Sequence, residues 1–127
     1  MPAVTGKARF RPRPSARRRT DRPFALALRE KLGMPQRVFA RLASVSERSL
    51  AKLEKGESPS DSMRRQLAEI ARLQEALAKV MNAKAIGNWF LEPNPAFDGL
   101  KPLEAVERGE IDRIWAMIYE LESGTVA

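Results

Sequence analysis

The 127-residue sequence contains neither cysteine nor histidine. Without cysteine there is no disulfide scaffold, no cysteine-based zinc site and no thiol nucleophile, and such a sequence suits the reducing cytoplasm. Without histidine the commonest general base and the commonest transition-metal ligand are missing. An enzyme that uses only carboxylates and lysine stays open as an alternative. We expect a cytoplasmic protein that is not an enzyme and has no catalytic residues, no metal site and no cofactor.

Long apolar stretches are also missing. No run approaches the roughly 20 residues that a membrane-spanning helix needs, although 43% of the residues are hydrophobic. The basic amino end lacks the apolar stretch of a secretory signal, and its prolines argue against the amphipathic helix of a transit peptide. We therefore expect one ordinary domain or two very small ones, with no membrane as a partner.

Charge is distributed unevenly along the chain. The net charge is +7, from 23 basic and 16 acidic residues. Residues 1–23 hold eight basic groups and one acidic group, which accounts for the whole excess. Residues 24–79 carry a net charge of +4, and residues 80–127 carry a net charge of −4. The sequence therefore has a basic tail, a mildly basic middle and an acidic end.

Residues 1–22 show no apolar periodicity and are rich in proline and arginine. This composition predicts a basic arm that is disordered in isolation. An arginine-rich arm gains affinity for nucleic acid because its cations release counterions from the phosphates. We therefore expect Arg17, Arg18 and Arg19 to contact DNA. A solvated tail without a binding role is the alternative.

From residue 23 onward, apolar residues recur at helical spacing and no segment alternates as a strand would, so we predict an all-α fold. Helices are predicted over residues 23–32, 36–43, 61–82, 83–90, 103–108 and 110–121, with one more between the N-cap Ser46 and Gly56. The first helix is expected to bury Phe24, Leu28 and Leu32, with Asp21 as its N-cap.

The most informative pattern lies in residues 36–55, where two short helices flank a tight turn and the small Ala40 lies where they must cross. The run QRVFARLASVSERSLAKLEKGE, from residue 36 to 57, resembles the helix-turn-helix of the Xre/Cro-repressor group. One departure is Ser44 at the turn, where glycine is common because the backbone is left-handed. The alternative is an ordinary helical bundle with a solvated charged face.

The resemblance implies that the second of these helices enters the major groove by its amino-terminal end. The side chains expected there are Ser46, Glu47, Arg48, Ser49 and Lys52. Arginine pairs with guanine and glutamate accepts from cytosine, whereas Gln36 and Lys55 would hold phosphates and set the register. Glu54 is expected to form a structural pair at the helix end.

A second pattern covers the acidic end of the chain. It runs Trp89-Phe90-Leu91, Pro93-Asn94-Pro95, Phe97-Asp98-Gly99 and Pro102-Leu103-Glu104, followed by an amphipathic helix and Gly124. This string is similar to the signature of the toxin-binding domain of the Xre/MbcA/ParS antitoxin family, and the resemblance covers about residues 24–127. Trp89 and Trp115 could belong to the binding surface or to the core, and we favour core packing for both.

The resemblance implies an antitoxin of a type II toxin-antitoxin system. Such a protein neutralises a RES-domain toxin, which consumes NAD, by blocking the toxin's active-site cleft, and it represses its own operon by binding operator DNA. The residues expected to bind the toxin are Asn94, Pro95, Glu122, Ser123, Gly124, Thr125, Val126 and Ala127. An acidic end would complement a cleft rich in arginine.

These patterns divide the chain into a basic arm (1–22), a helix-turn-helix domain with a long last helix (23–82) and a small helical toxin-binding domain (83–127). One helix-turn-helix contacts only one half-site of an operator, so we expect a homodimer within a larger toxin-antitoxin complex. Either the long helix or the last domain would form the dimer interface. A stand-alone dimeric helix-turn-helix regulator is the alternative. For the enzyme alternative no acids pair convincingly, since Glu107, Glu110 and Asp112 lie near each other but around a helix start, where acids serve the dipole.

Overall fold

The structure is a computed structural model that describes residues 22–124. Within these residues every regular element is helical, which confirms the predicted all-α fold. The α-helices are α1 (Phe24–Leu32), α2 (Gln36–Ala43), α3 (Glu47–Glu54), α4 (Asp61–Val80), α5 (Ile86–Trp89), α6 (Pro102–Glu107) and α7 (Ile111–Ser123). Short 3-10 turns precede α5 (Ala83–Ala85) and α6 (Pro95–Phe97).

Local signals in the sequence set the ends of the first helices. Gly33 ends α1 in the left-handed conformation, at φ 67°, where glycine carries no steric penalty. The side chain of Ser60 caps the long α4 by accepting a hydrogen bond from the backbone N–H of Met63 at 3.2 Å. Helix α4 ends at Val80, two residues earlier than predicted, because Met81 turns to an extended backbone.

The expectation that Phe24 is buried is wrong, because 56% of this residue is exposed. The core-facing positions of α1 are instead Ala25, Leu28 and Leu32. Phe24 is the first residue of the helix and lies at the rim of the bundle, beyond the reach of the core. The predicted N-cap Asp21, which lies outside the described residues, is wrong, because the helix begins at Phe24 and its N-cap position is Pro23.

One continuous hydrophobic core joins the two predicted domains. Helix α2 packs against α6, and α4 packs against α7, so residues from both sides of position 82 share the interior. The largest fully buried side chains include Phe39 and Leu50 from one side and Phe97, Leu103 and Ile114 from the other. Trp89 and Trp115 are half-buried and pack against this core. The boundary at position 82 therefore does not divide the hydrophobic core. It stays a prediction about which part of the chain binds DNA and which part binds a toxin.

Helix α5 approaches the end of α1 closely through Gly87. A Cβ atom at this position would lie 2.5 Å from the carbonyl oxygen of Leu32, closer than atoms can approach. Further along, the backbone N–H of Leu103 donates to the carbonyl of Phe90 at 3.1 Å and holds the start of α6 on the end of α5. None of the helices described here is long and apolar enough to cross a membrane.

Candidate nucleic-acid interface and partner-binding surface

The turn between α2 and α3 has the geometry that the sequence predicts. Ser44 ends α2 in the left-handed region at φ 58°, a conformation that costs an L-residue some energy. The backbone N–H of Val45 donates to the carbonyl of Ala40 at 3.0 Å and closes the turn. Ala40 and Leu50 are buried at the crossing, so α3 is fixed against α2 by the core.

The first turns of α3 present an exposed polar surface. Ser46 caps the helix by accepting a hydrogen bond from the backbone N–H of Ser49 at 3.0 Å, and its hydroxyl donates to the hydroxyl of Ser49 at 3.0 Å. Glu47, Arg48 and Lys52 are exposed, and none of these three bonds to another residue in the part of the chain that the structure describes. These side chains therefore have both the access and the free hydrogen-bonding groups that base contacts need.

Predicted DNA contacts other than Gln36 also lie outside α3. Lys55 is exposed just after the end of α3. Arg17, Arg18 and Arg19 lie outside the described residues.

A buried ion pair holds the other end of α3. The guanidinium of Arg29 donates from Nε to Oε2 of Glu54 at 2.6 Å and from a terminal nitrogen to Oε1 at 3.0 Å, while its other nitrogen donates to the carbonyl of Met34 at 3.0 Å. Only 8% of the Glu54 side chain is exposed. The hydrogen bonds from Arg29 hold the pKa of Glu54 below its ordinary value, against the opposing effect of burial. Glu54 thus has the structural role that the sequence predicts.

Gln36 belongs to the same network. Its Nε2 donates to Oε1 of Glu54 at 2.8 Å, so the amide ties the start of α2 to the end of α3. The predicted contact between Gln36 and a phosphate stays a prediction, and it would use the side-chain amide already bound to Glu54. The sequence did not reveal Arg29 as the partner of Glu54, because 25 residues separate them.

The loop around Asn94 and Pro95 is held firmly against α7. The Asn94 side chain accepts from the backbone N–H of Ala96 at 2.9 Å, and Pro95 opens the short 3-10 turn. Arg113 on α7 donates to Asp98 at 2.9 Å, and its guanidinium lies 5.8 Å from the centre of the Phe97 ring. Asn94 and Pro95 therefore shape the loop that Arg113 holds against α7, and their contact with a toxin stays a prediction.

The last turns of α7 carry the other predicted partner contacts. Glu122 and Ser123 are exposed, and Gly124 ends the helix in the left-handed conformation at φ 71°. Thr125, Val126 and Ala127 lie outside the described residues. The prediction missed two neighbours on the same turns, Tyr119 and Leu121, which are 72% and 42% exposed. The sequence does not show that these two side chains are exposed, because an apolar residue on an amphipathic helix is assigned to the core by default.

Two of the three acids that lie around the start of α7, Glu107 and Glu110, form ion pairs, and the third, Asp112, is exposed. Glu107 accepts two hydrogen bonds from Arg41, from Nε at 2.7 Å and from a terminal nitrogen at 2.8 Å. Glu110 accepts from Arg113 at 3.0 Å. The pair between Arg41 and Glu107 lowers the pKa of Glu107 and joins α2 to the end of α6. The carboxylates of Glu107 and Glu110 therefore have a structural role.

Comparison with known proteins agrees with this geometry. Residues 26–75 match the helix-turn-helix family HTH_3. The "Mycobacterial cidal antitoxin MbcA" proteins of Mycobacterium bovis (strain ATCC BAA-935 / AF2122/97) and Mycobacterium tuberculosis (strains CDC 1551 / Oshkosh and ATCC 25618 / H37Rv) are each 29% identical to this chain over 96 residues, which is 75% of this chain and 85% of the relative.

A solved structure gives the same result in three dimensions. The fold matches a chain in the crystal structure of the M. tuberculosis MbcT-MbcA toxin-antitoxin complex with a TM-score of 0.66 and 27% identity, covering 82% of this chain and 95% of that one. The similarity therefore extends past the helix-turn-helix into the acidic end. These matches confirm the helix-turn-helix and the two-part resemblance that the sequence predicted.

Proposed function

The chain carries an Xre-type helix-turn-helix domain and is a homologue of the MbcA antitoxins, and on this premise we propose that it is itself the antitoxin of a type II toxin-antitoxin system. Residues 83–127 would neutralise the toxin, and α3 would repress the operon by binding its operator. The observation that carries the proposal is that one fold holds a free recognition helix and an exposed apolar and acidic carboxyl-terminal helix. An enzyme or a simple scaffold requires neither.

The toxin would bind the end of α7. Tyr119 and Leu121 are exposed there beside the acid Glu122. Exposed large apolar side chains next to charged ones are typical of surfaces that bind another protein. We propose that the partner is a RES-domain toxin that consumes NAD, because the sequence resembles the antitoxins of such toxins. The chain end would enter the toxin's cleft, where the net charge of −4 over residues 80–127 would complement a cleft rich in arginine.

Removal of residues 122–127 tests the toxin-binding role. In cells that also express the toxin proposed as its partner, the shortened protein is expected to lose neutralisation, so that growth stops and cellular NAD falls. Removal of residues 1–19 is the matched control, because it shortens the other end and should leave neutralisation intact. If the protein without residues 122–127 still protects the cells, the proposed blocking of the cleft is wrong. If growth stops while NAD stays constant, the toxin is not of the NAD-consuming type.

The operator would be read by the exposed side of α3. Arg48 is expected to pair with a guanine, and Arg48→Ala should therefore weaken operator binding by about 1–3 kcal/mol while leaving binding to random DNA nearly unchanged. Titrations of both DNA duplexes at one salt concentration measure the difference. Arg72→Ala, an exposed arginine on α4, is the matched control and should change neither. An equal loss on both duplexes would remove Arg48 from the base-reading residues.

A further inference from the structure

One face of the molecule has the features of an uncovered interface. It lies along α1 and α4, and two grooves of about 450 Å³ and about 140 Å³ open on it, the larger of which also reaches Leu53 at the end of α3 and residues 56–59. Phe24, 56% exposed, lines both grooves. We name this surface the α1–α4 face and define it by Phe24, Arg64, Leu67, Ala68, Ala71, Gln74 and Glu75.

A buried amide on this face lacks a partner. Gln74 lines the smaller groove, is only 5% exposed and makes no hydrogen bond within the described part of the chain. Buried polar side chains are almost always hydrogen-bonded, because an unsatisfied amide loses its bonds to water without replacement. Gln74 therefore points to a donor or acceptor that comes from beyond the described residues. A groove that bound only an apolar ligand would leave this requirement unmet.

A row of four residues along α4 is complementary to the same row of a second α4 helix that runs in the opposite direction. Arg64, Ala68, Ala71 and Glu75 follow one another at helical spacing, with a cation at one end, an anion at the other and two small residues between them. In an antiparallel pair of α4 helices, Arg64 lies opposite the partner's Glu75, and Ala68 lies opposite the partner's Ala71. The small residues at the centre let two helix axes approach closely. Only a second copy of this chain supplies this arrangement twice in one interface.

The existing contacts leave this pairing available. Arg64 donates from one terminal nitrogen to the carbonyl of Pro59 at 3.1 Å, so its other N–H groups remain for a carboxylate. Glu75 is exposed and has no ion pair within residues 22–124. Phe24 borders Ala68 on one side and Ala71 on the other, so it lies beside the midpoint of the row. Two such rings would meet at the centre of the pair.

We infer that the α1–α4 face binds a second copy of this chain, with the two α4 helices antiparallel about a two-fold axis and the two Phe24 side chains at that axis. This names the surface of the homodimer expected for an operator reader, so it deepens the proposed function. The larger groove includes the buried Leu53 of α3 and residues 56–59, which follow this helix, whereas the exposed residues in the first turns of α3 line neither groove. The interface therefore leaves the amino-terminal end of each α3 uncovered.

Exchange of the two charges tests the pairing and its direction. Arg64→Glu alone places two acids opposite each other at both ends of the interface, and Glu75→Arg alone places two cations there. Each single variant is expected to weaken dimerisation at least about tenfold, and the double variant should restore it. Sedimentation equilibrium of the purified protein, without DNA or toxin, measures the dissociation constant. Arg72→Glu and Glu92→Arg make the same charge changes at exposed positions off the face and should have no effect.

Phe24→Ser provides an independent test at the axis and is expected to yield monomers that retain the helical circular dichroism of the parent. A parent protein that is monomeric at tens of micromolar, or single charge variants that dimerise as tightly as the parent, would overturn the inference. Weakened single variants without restoration in the double variant would overturn the antiparallel register. Because toxin and DNA are absent, these outcomes are separate from neutralisation and operator binding, which the carboxyl-terminal deletion and Arg48→Ala report.

Discussion

Glu54 shows how one side chain fixes the geometry of the helix-turn-helix. It accepts hydrogen bonds from Arg29 on α1 and from Gln36 on α2, while it belongs to α3. Three helices therefore meet at one carboxylate that is almost fully buried. A buried ion pair stabilises a fold only when its hydrogen bonds are satisfied, and this one has at least one bond to each oxygen. Without this carboxylate, the orientation of α3 relative to α1 and α2 would be less well fixed.

Glu54→Gln is expected to reduce the free energy of unfolding by about 2–3 kcal/mol at pH 7, because the arginine loses its charged partner. The folded-state pKa of Glu54 is lowered, so the contribution of the pair is present above the unfolded-state pKa and is lost as the pH falls through the folded-state pKa. The difference between parent and variant should therefore shrink in acid. Urea unfolding from pH 7 to pH 2 measures it.

Glu57→Gln, at an exposed position three residues further on, is the control and should leave stability nearly constant at every pH. A difference between parent and Glu54→Gln that stays as large at pH 2 as at pH 7 would show that the ionised carboxylate is not what stabilises the network.

At the scale of elements, the contact of α5 with the end of α1 joins the two halves of the molecule. Gly87 allows it, because any side chain would collide with the carbonyl oxygen of Leu32. Gly87→Ala should therefore force the two elements apart and lower the free energy of unfolding by about 1–3 kcal/mol. Thermal or urea unfolding measures the decrease. Asn88→Ala, the exposed neighbour, is the control. Equal stability of Gly87→Ala and the parent would show that α5 is free to shift.

The elements differ in how well the sequence predicts them. The bounds of α2 and the N-cap of α3 follow from local rules, since Pro35 precedes one helix and Ser46 caps the other. The region after α4 was harder, because a segment predicted as one helix divides into a 3-10 turn and the four-residue α5. Local spacing cannot show where tertiary contacts tighten a helix.

The same distinction applies to the candidate site. The exposed face of α3 follows from helix periodicity once its buried residues are known. The partners of Glu54 and Glu107 do not, because Arg29 and Arg41 are distant in sequence and meet them only after the bundle has packed. The exposure of Phe24 has the same origin, since an apolar residue in the first turn of an amphipathic helix gives no local sign that the core ends before it.

At the scale of the whole molecule, the basic residues of positions 1–23 account for the net charge of +7. If they lie along DNA, removal of residues 1–19 should weaken binding to specific and random DNA alike. It should also flatten the dependence of the binding constant on salt, because every phosphate that the arm no longer neutralises reduces the slope of log K against log salt by about 0.9. Titrations at several salt concentrations measure the slope. An unchanged slope would show that the arm does not touch phosphates.

The continuous core also makes the stability of one end depend on what is bound at the other. Small domains with one interior unfold as a single cooperative unit, so any ligand that binds only the folded chain raises the same free energy of unfolding. A ligand at α3 present at 100 times its dissociation constant would add about 2.7 kcal/mol, and α7 would share that gain through Arg41, Glu107 and the packed helices between them. A ligand bound at α3 thereby protects α7 from global unfolding. It also protects α7 from any proteolysis that occurs only in the unfolded chain, and neither effect requires a conformational change.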